Sequence, residues 1–218
     1  MEPNAVADTA SVRATYDRIA AHFSQTRAEP WPQIPAFLNG RSGDVGVALG
    51  CGNGRHVELL ADRCARVVGL DLSRALLGLA TERATDSFES DWIQGSVDTV
   101  PLATDSVDLG VYIATLHHLD SREDRRESLD ELARVLAPDG RALVSVWSTT
   151  HSAFDETEGF DTVVDWTLPD GETVPRYYHI YDPDEFVTDL TASALRVERS
   201  FTADGNCFSV VAGEGKRP

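Results

Sequence analysis

The sequence predicts an α/β fold: a mostly parallel sheet with helices on both faces, finished by an antiparallel C-terminal hairpin. Three observations carry this. Residues 44–148 alternate short apolar segments with helical ones, the order that builds parallel sheets from strand–helix–strand units. The first of these strands runs into a glycine cluster, Gly50-Cys51-Gly52-Asn53-Gly54. The last two segments, RVERSFT and NCFSVVAG, are joined through Ala203-Asp204-Gly205 as an antiparallel pair would be. At 218 residues the chain is expected to form one domain that needs no disulfide or metal staple.

Taken in order, residues 9–23 read as a helix with Val12, Tyr16, Ile19 and Phe23 on one face. Glu29 to Pro35, rich in proline and tryptophan, reads as a rigid connector. A strand over 44–49 enters the glycines, and a helix follows over about 54–62. The second strand, ARVVGLD, ends at Asp71, with Ser73 placed to cap the next helix. DWIQG and SVDLGVYIA are the third and fourth strands. A long helix then begins near Ser121, whose Ser-x-x-Asp pattern suggests a capping box with Asp124. Pro138-Asp139-Gly140 turns the chain into a fifth strand, RALVSVW. Residues 149–181 lack a clear period and read as a long functional loop, followed by a helix over 183–193.

Composition narrows the function. Hydrophobic residues make up 42% of the chain, as in globular rather than disordered proteins. No apolar run reaches the roughly 20 residues of a membrane helix. MEPNAVADTA shows no basic start or greasy segment, so a cytoplasmic protein is expected. Cys51, Cys64 and Cys207 form no Cys-x-x-Cys pair; they read as buried free thiols, and no metal site is expected. Acidic residues number 36 against 19 basic ones, for a net charge of −17, and Lys216 is the single lysine. Such a surface solubilises and repels nucleic acid; the sharper reading is a halophilic protein adapted to molar salt.

The glycine run has Gly-x-Gly-x-Gly spacing where a strand becomes a helix, leaving the backbone free to turn and to meet a ligand. A dinucleotide fingerprint would need glycine at position 55, where Arg55 stands, and the Gly-Lys-Ser/Thr of a phosphate loop is absent. A nucleoside without pyrophosphate fits best. Asp71, at the next strand end, is suited to both hydroxyls of a ribose, though a structural turn and a helix cap would give the same two features separately. Together they make residues 44–148 resemble the Rossmann-like class I S-adenosylmethionine-dependent methyltransferases. That resemblance implies a seven-stranded sheet, S-adenosylmethionine as cofactor, and cofactor contacts from Gly50, Cys51, Gly52, Gly54, Asp71, Leu72, Ser96 and Val97. Two positions depart from the family pattern: Ala48 stands where an acidic residue is usual, and Ser96 stands at the adenine-reading aspartate, with Asp98 close by.

A narrower likeness spans nearly the whole chain. Tyr16 to Arg27 (YDRIAAHFSQTR) with Pro30-Trp31-Pro32, Leu116-His117-His118, Arg176-Tyr177-Tyr178-His179 and Asp204-Gly205-Asn206 resemble the tRNA wobble-uridine carboxymethyl methyltransferases, including the methyltransferase half of an AlkB-type tRNA hydroxylase fusion. The hairpin match is weak, since Cys207-Phe208 replace that family's tryptophans. The resemblance implies esterification of the carboxylate of 5-carboxymethyluridine in tRNA, aided by a small zinc-ribbon activator protein in a heterodimer along the third-strand edge near Trp92 and Ile93. It divides the chain into a substrate-side cap (9–35), a cofactor core (44–148), a substrate-side insertion (149–181) and a C-terminal helix and hairpin (182–218). Arg27 and Arg176 become candidates for gripping the carboxylate and His118 for a hydrogen bond to substrate, with His117 packed behind it. His22, Trp31, Tyr177 and Asn206 are the substrate-binding candidates. Competing readings are a satisfied structural histidine at 118, a surface ion pair of Arg27 with Glu29, and core roles for Tyr177 and Tyr178. For the whole protein they are a small-molecule methyltransferase acting on a quinone precursor or carboxylic acid, and a non-catalytic subunit of the same fold.

Overall fold

The computed structural model describes residues 8–84 and 88–213; the first seven residues and Lys216 fall outside them. In chain order the elements are α1 (Thr9–Thr26), α2 (Gln33–Leu38), β1 (Gly43–Leu49), α3 (Val57–Ala61), β2 (Cys64–Asp71), α4 (Arg74–Arg83), β3 (Glu89–Gln94), β4 (Val107–Ile113), α5 (Arg122–Val135), β5 (Leu136–Trp147), β6 (Phe160–Thr167), β7 (Thr173–Ile180), α6 (Pro183–Ala192), β8 (Arg196–Ala203) and β9 (Asn206–Ala212), with a 3-10 turn at Leu116–His118.

Seven strands form one sheet in the order β3-β2-β1-β4-β5-β9-β8. The first five are parallel, and β9 and β8 run antiparallel to their neighbours. The order reverses between β1 and β4, so the loops leaving their carboxyl ends diverge and open a crevice there, the usual ligand site of such sheets. Alternation along β1 splits the core. Val47 and Leu49 pack with Leu129 and Leu132 of α5 and Phe186 and Leu190 of α6. Ala48 faces the other side, with Phe37 of α2 and Val57 and Leu60 of α3. A third, small cluster of Ile19, Trp166 and Val174, backed by Tyr16 and Phe23, docks α1 onto the β6–β7 hairpin.

Several local expectations hold: Ser73 caps α4 through Leu76 N–H, and Ser121 and Asp124 form the reciprocal capping box of α5. Others change. The Glu29–Pro35 connector runs into α2, where Ile34, Phe37 and Leu38 are buried at helical spacing; Pro35 is tolerated because a first-turn N–H has no helical partner anyway. The helix expected from residue 54 begins at Val57, since Gly54 and Arg55 are used in the turn. β5 starts at Leu136 rather than after Pro138-Asp139-Gly140, which sit in a bulge between the pairs Val107↔Leu136 and Leu109↔Arg141. The segment 149–181 is not a loop throughout. Its second part is a two-stranded antiparallel hairpin, registered from Phe160↔Ile180 to Thr167↔Thr173 and turned at Gly171, φ +88°.

Candidate active site

A cavity of about 580 Å³ lies at the carboxyl ends of β1, β2 and β4. Gly50, Cys51, Gly52, Asp71 and Leu72 line one side, Thr115 and His118 another, and Tyr16, Phe23, Arg27, Arg176 and Tyr178 face them from α1 and β7. The glycine turn is built from left-handed backbone: φ is +64° at Gly50, +55° at Gly52 and +77° at Gly54. A Cβ at Gly50 would sit 2.1 Å from Thr115 Oγ1, and one at Gly54 3.1 Å from both Ala80 Cβ and Trp92 Cη2. Gly52 has open space around it, with only Phe23 near, at 3.6 Å. This is a cradle kept clear for a ligand rather than only a tight turn.

Asp71 fixes that cradle. Its Oδ2 accepts from Gly52 N–H at 2.7 Å and its Oδ1 from Ser73 N–H at 2.8 Å. Burial outweighs these bonds and pushes its carboxyl up to about 6. Each oxygen keeps a second lone pair, so both hydroxyls of a ribose are within its capacity. The adenine side departs from expectation: Ser96 is not on the cavity wall and its hydroxyl is buried without a partner, whereas Val97 and the Asp98 carboxylate are on the wall. Gly54 likewise shapes the turn from behind the lining. Cys51 lines the cavity as an un-ionised thiol, held high by burial and by Asp71.

His118 is placed as expected but is already satisfied. Its Nδ1 lies 2.8 Å from the Tyr177 carbonyl and its Nε2 2.8 Å from the Tyr16 hydroxyl. A carbonyl can only accept, so the proton is on Nδ1 and Nε2 accepts from tyrosine. Burial pulls its pKa down to about 4. His117 is packed, with Nδ1 accepting from Trp147 N–H at 3.0 Å, and burial holds it neutral. Neither ring is poised as a base.

The two arginines come together on a residue the sequence did not single out for the site. Trp166 stands with the Arg176 guanidinium 4.8 Å and the Arg27 guanidinium 5.2 Å from its ring. Its indole N–H donates to His22 Nδ1 at 3.1 Å, so His22 supports this wall instead of lining the cavity. Arg176 also donates to the Tyr178 hydroxyl at 2.6 Å, while its Nε is buried without a partner. Among the described residues neither Arg27 nor Arg176 has a carboxylate within ion-pair distance, including Glu29. Asn53, another residue missed, ties the glycine turn to the end of α1 through Ser24 Oγ and the Arg27 carbonyl, both at 3.1 Å.

Trp31 and Asn206 line the cavity; Trp31 meets Phe208 edge-on, and Asn206 donates to the Asp204 carbonyl. Tyr177 does not line it. It points to the opposite face of β7, donating to Asp161 Oδ1 (2.8 Å) and lying 3.1 Å from the Asp120 carbonyl. The cavity residue is Tyr178, two along from Arg176 and therefore on the same face of the strand.

A family model described as a methyltransferase domain matches residues 47–144. The tRNA (carboxymethyluridine(34)-5-O)-methyltransferase ALKBH8 of Mus musculus is 38% identical over 138 residues, which are 63% of this chain and 20% of that protein. The chain thus spans about a fifth of the length of that relative. The tRNA (carboxymethyluridine(34)-5-O)-methyltransferase of Schizosaccharomyces pombe is 29% identical, covering 88% of this chain and 92% of its own. Among solved structures, the complex between the Haloferax volcanii Trm112 methyltransferase activator and a methyltransferase matches with TM-score 0.71 and 20% identity, over 95% of this chain and 100% of the other. A DhpI–SAH complex matches with TM-score 0.72 and 18% identity over 96% and 98%. The chain therefore carries a match to a methyltransferase domain over residues 47–144, and its sheet order is that of the class I S-adenosylmethionine-dependent methyltransferase fold, with S-adenosylmethionine as the cofactor.

Proposed function

We propose that the protein methylates the carboxylate of 5-carboxymethyluridine at the wobble position of tRNA, giving the methyl ester. The observation that carries this is the pair Arg27 and Arg176, both seated on Trp166, without carboxylate partners among the described residues, in the cavity that also holds the glycine turn and Asp71. Guanidinium forks suit a carboxylate, and the relatives' names specify carboxymethyluridine(34) as what those proteins act on.

The bound cofactor supplies an electrophilic methyl group on a sulfonium. The chain's residues have a modest chemical task. A carboxylic acid with pKa near 4 is already ionised at neutral pH, so ester formation needs no base; neutral His118 with both nitrogens committed is compatible with that. Arg27 at the exposed mouth and half-buried Arg176 orient the acid, and such positioning contributes several kcal/mol. In this reading Asp71 takes the ribose, and the adenine amino group falls to Asp98, which lines the cavity, rather than to Ser96, which does not.

The reading includes a cytoplasmic enzyme working as a heterodimer with a small zinc-ribbon activator. β3, which among the described residues pairs only with β2, offers it an open strand edge. Trp92 itself is turned inward against Gly54 and Gly69. No helix among the described residues is long and apolar enough to cross a membrane. The net charge of −17 and single lysine fit molar salt, where a Debye length of about 3 Å screens repulsion from tRNA; a melt more stable in dilute buffer than in molar KCl would count against that. Mass spectrometry of wobble nucleosides from a deletion strain tests the activity: the methyl ester should vanish and the free acid accumulate, and an unchanged ester would refute it.

A further inference from the structure

Arg55 is a cationic cavity residue that the reaction above does not use. It follows Gly54 directly, lines the cavity, and is 9% exposed. Its one hydrogen bond is long, from Nη1 to the Glu29 carbonyl at 3.4 Å, and no carboxylate pairs with it among the described residues. Burial first, and then the like charges of Arg27 and Arg83, pull it down to about 10. Arg83 is itself paired with Glu58 at 3.2 Å. Beside Arg55, also on the cavity wall, the buried His56 has an Nε2 without a partner. A buried guanidinium facing only like charge is unfavourable unless an anion joins it.

We infer that Arg55, with His56 beside it, seats the α-carboxylate of the cofactor, so that the cavity holds two acid groups and sorts them: the cofactor's on Arg55, the substrate's on Arg176. The first half rests on the cofactor alone; the second rests on the ester-forming reading. Asp71, Leu72 and Asp98 are the residues assigned to the adenosine; Asp71 holds Gly52 N–H at the start of the glycine turn, and Arg55 lines the cavity at the end of that turn, where it would meet the amino-acid end of the cofactor. The burial of Arg55 inside the fold disfavours the alternative occupant, a phosphate of the tRNA backbone.

The test compares two ligands by calorimetry: S-adenosylhomocysteine, which carries the carboxylate, and methylthioadenosine, which lacks the whole amino-acid end. Arg55→Met is expected to weaken S-adenosylhomocysteine about tenfold or more, the scale of a charge-assisted hydrogen bond, and to leave methylthioadenosine unchanged. Arg55→Lys, which keeps the charge, should restore much of the loss and serves if the methionine variant does not fold. Equal weakening of both ligands, or no effect on either, overturns the inference. Weakened tRNA binding with unaltered S-adenosylhomocysteine would assign Arg55 to phosphate instead. Since no methyl acceptor is present, a wrong substrate assignment would leave this result intact.

Discussion

Replacing Trp166 by leucine removes the ring that both guanidiniums share while keeping an apolar side chain in the small cluster with Ile19 and Val174. Each cation–π contact contributes about 0.5–1 kcal/mol at a partly exposed site. Losing both is therefore worth about 1–2 kcal/mol, which is about 5- to 30-fold if it falls wholly on orientation of the acid. The smaller side chain also lowers stability by about 1–3 kcal/mol, which a thermal melt reads separately. The assay is single-turnover methyl transfer to tRNA from the deletion strain at saturating cofactor, alongside calorimetry with S-adenosylhomocysteine. Trp166→Leu should lose rate and keep cofactor affinity. Trp166→Phe, which keeps an aromatic face but not the N–H to His22, should stay within about threefold of wild type by the same reasoning. A wild-type rate for Trp166→Leu would refute the role of the ring, and a loss confined to cofactor binding would reassign it.

Further outcomes follow from the same geometry. Asp71→Asn offers one acceptor oxygen where two backbone N–H groups now bind, so S-adenosylhomocysteine affinity should drop about 10- to 100-fold; unchanged affinity would remove Asp71 from the ribose. Tyr177→Phe loses the hydroxyl contacts with Asp161 and the Asp120 carbonyl and should cost about 1–2 kcal/mol in urea unfolding with no change in rate, whereas Tyr178→Phe should slow transfer by loosening Arg176. Reversed phenotypes would mean that the face of β7 is misassigned. His118 and His56, held near 4 and 3 against 6.5 when free, stay neutral in the fold while the unfolded chain takes up protons. Stability is then full above pH 6.5 and falls toward pH 4, by about 3 kcal/mol from His118 alone. Asp71, raised to about 6, acts in the opposite sense between pH 6 and 4, so the net slope is shallower. Urea midpoints flat from pH 7 to 4.5 would contradict buried neutral histidines.

What could be read from the sequence was local chemistry. The glycine turn, Asp71 at its strand end, the Ser73 cap and the Ser121–Asp124 box are each specified by residues within a few positions of one another, and all formed as read. The β6–β7 hairpin was hidden because β6 is half exposed and carries Asp161 and Asp165 between its apolar residues; it is held by α1, more than 130 residues earlier. Tyr177 and Tyr178 are indistinguishable until register decides which faces the cavity. The saturation of His118 depends on Tyr16, 102 residues away, and the role of Trp166 on two arginines from different elements. Arg55 served in the sequence only to exclude a dinucleotide; its burial beside other cations is visible only in the fold.

The claim that an acid group is esterified between Arg27 and Arg176 is tested most directly by where the methyl label goes. Radiolabelled S-adenosylmethionine is incubated with tRNA from the deletion strain and either the wild-type protein or Arg176→Met, and the product is treated with mild alkali. The account predicts label on tRNA that alkali releases as methanol, and transfer near background for Arg176→Met despite normal S-adenosylhomocysteine affinity. Alkali-stable label, or an Arg176→Met variant as fast as wild type, would contradict it.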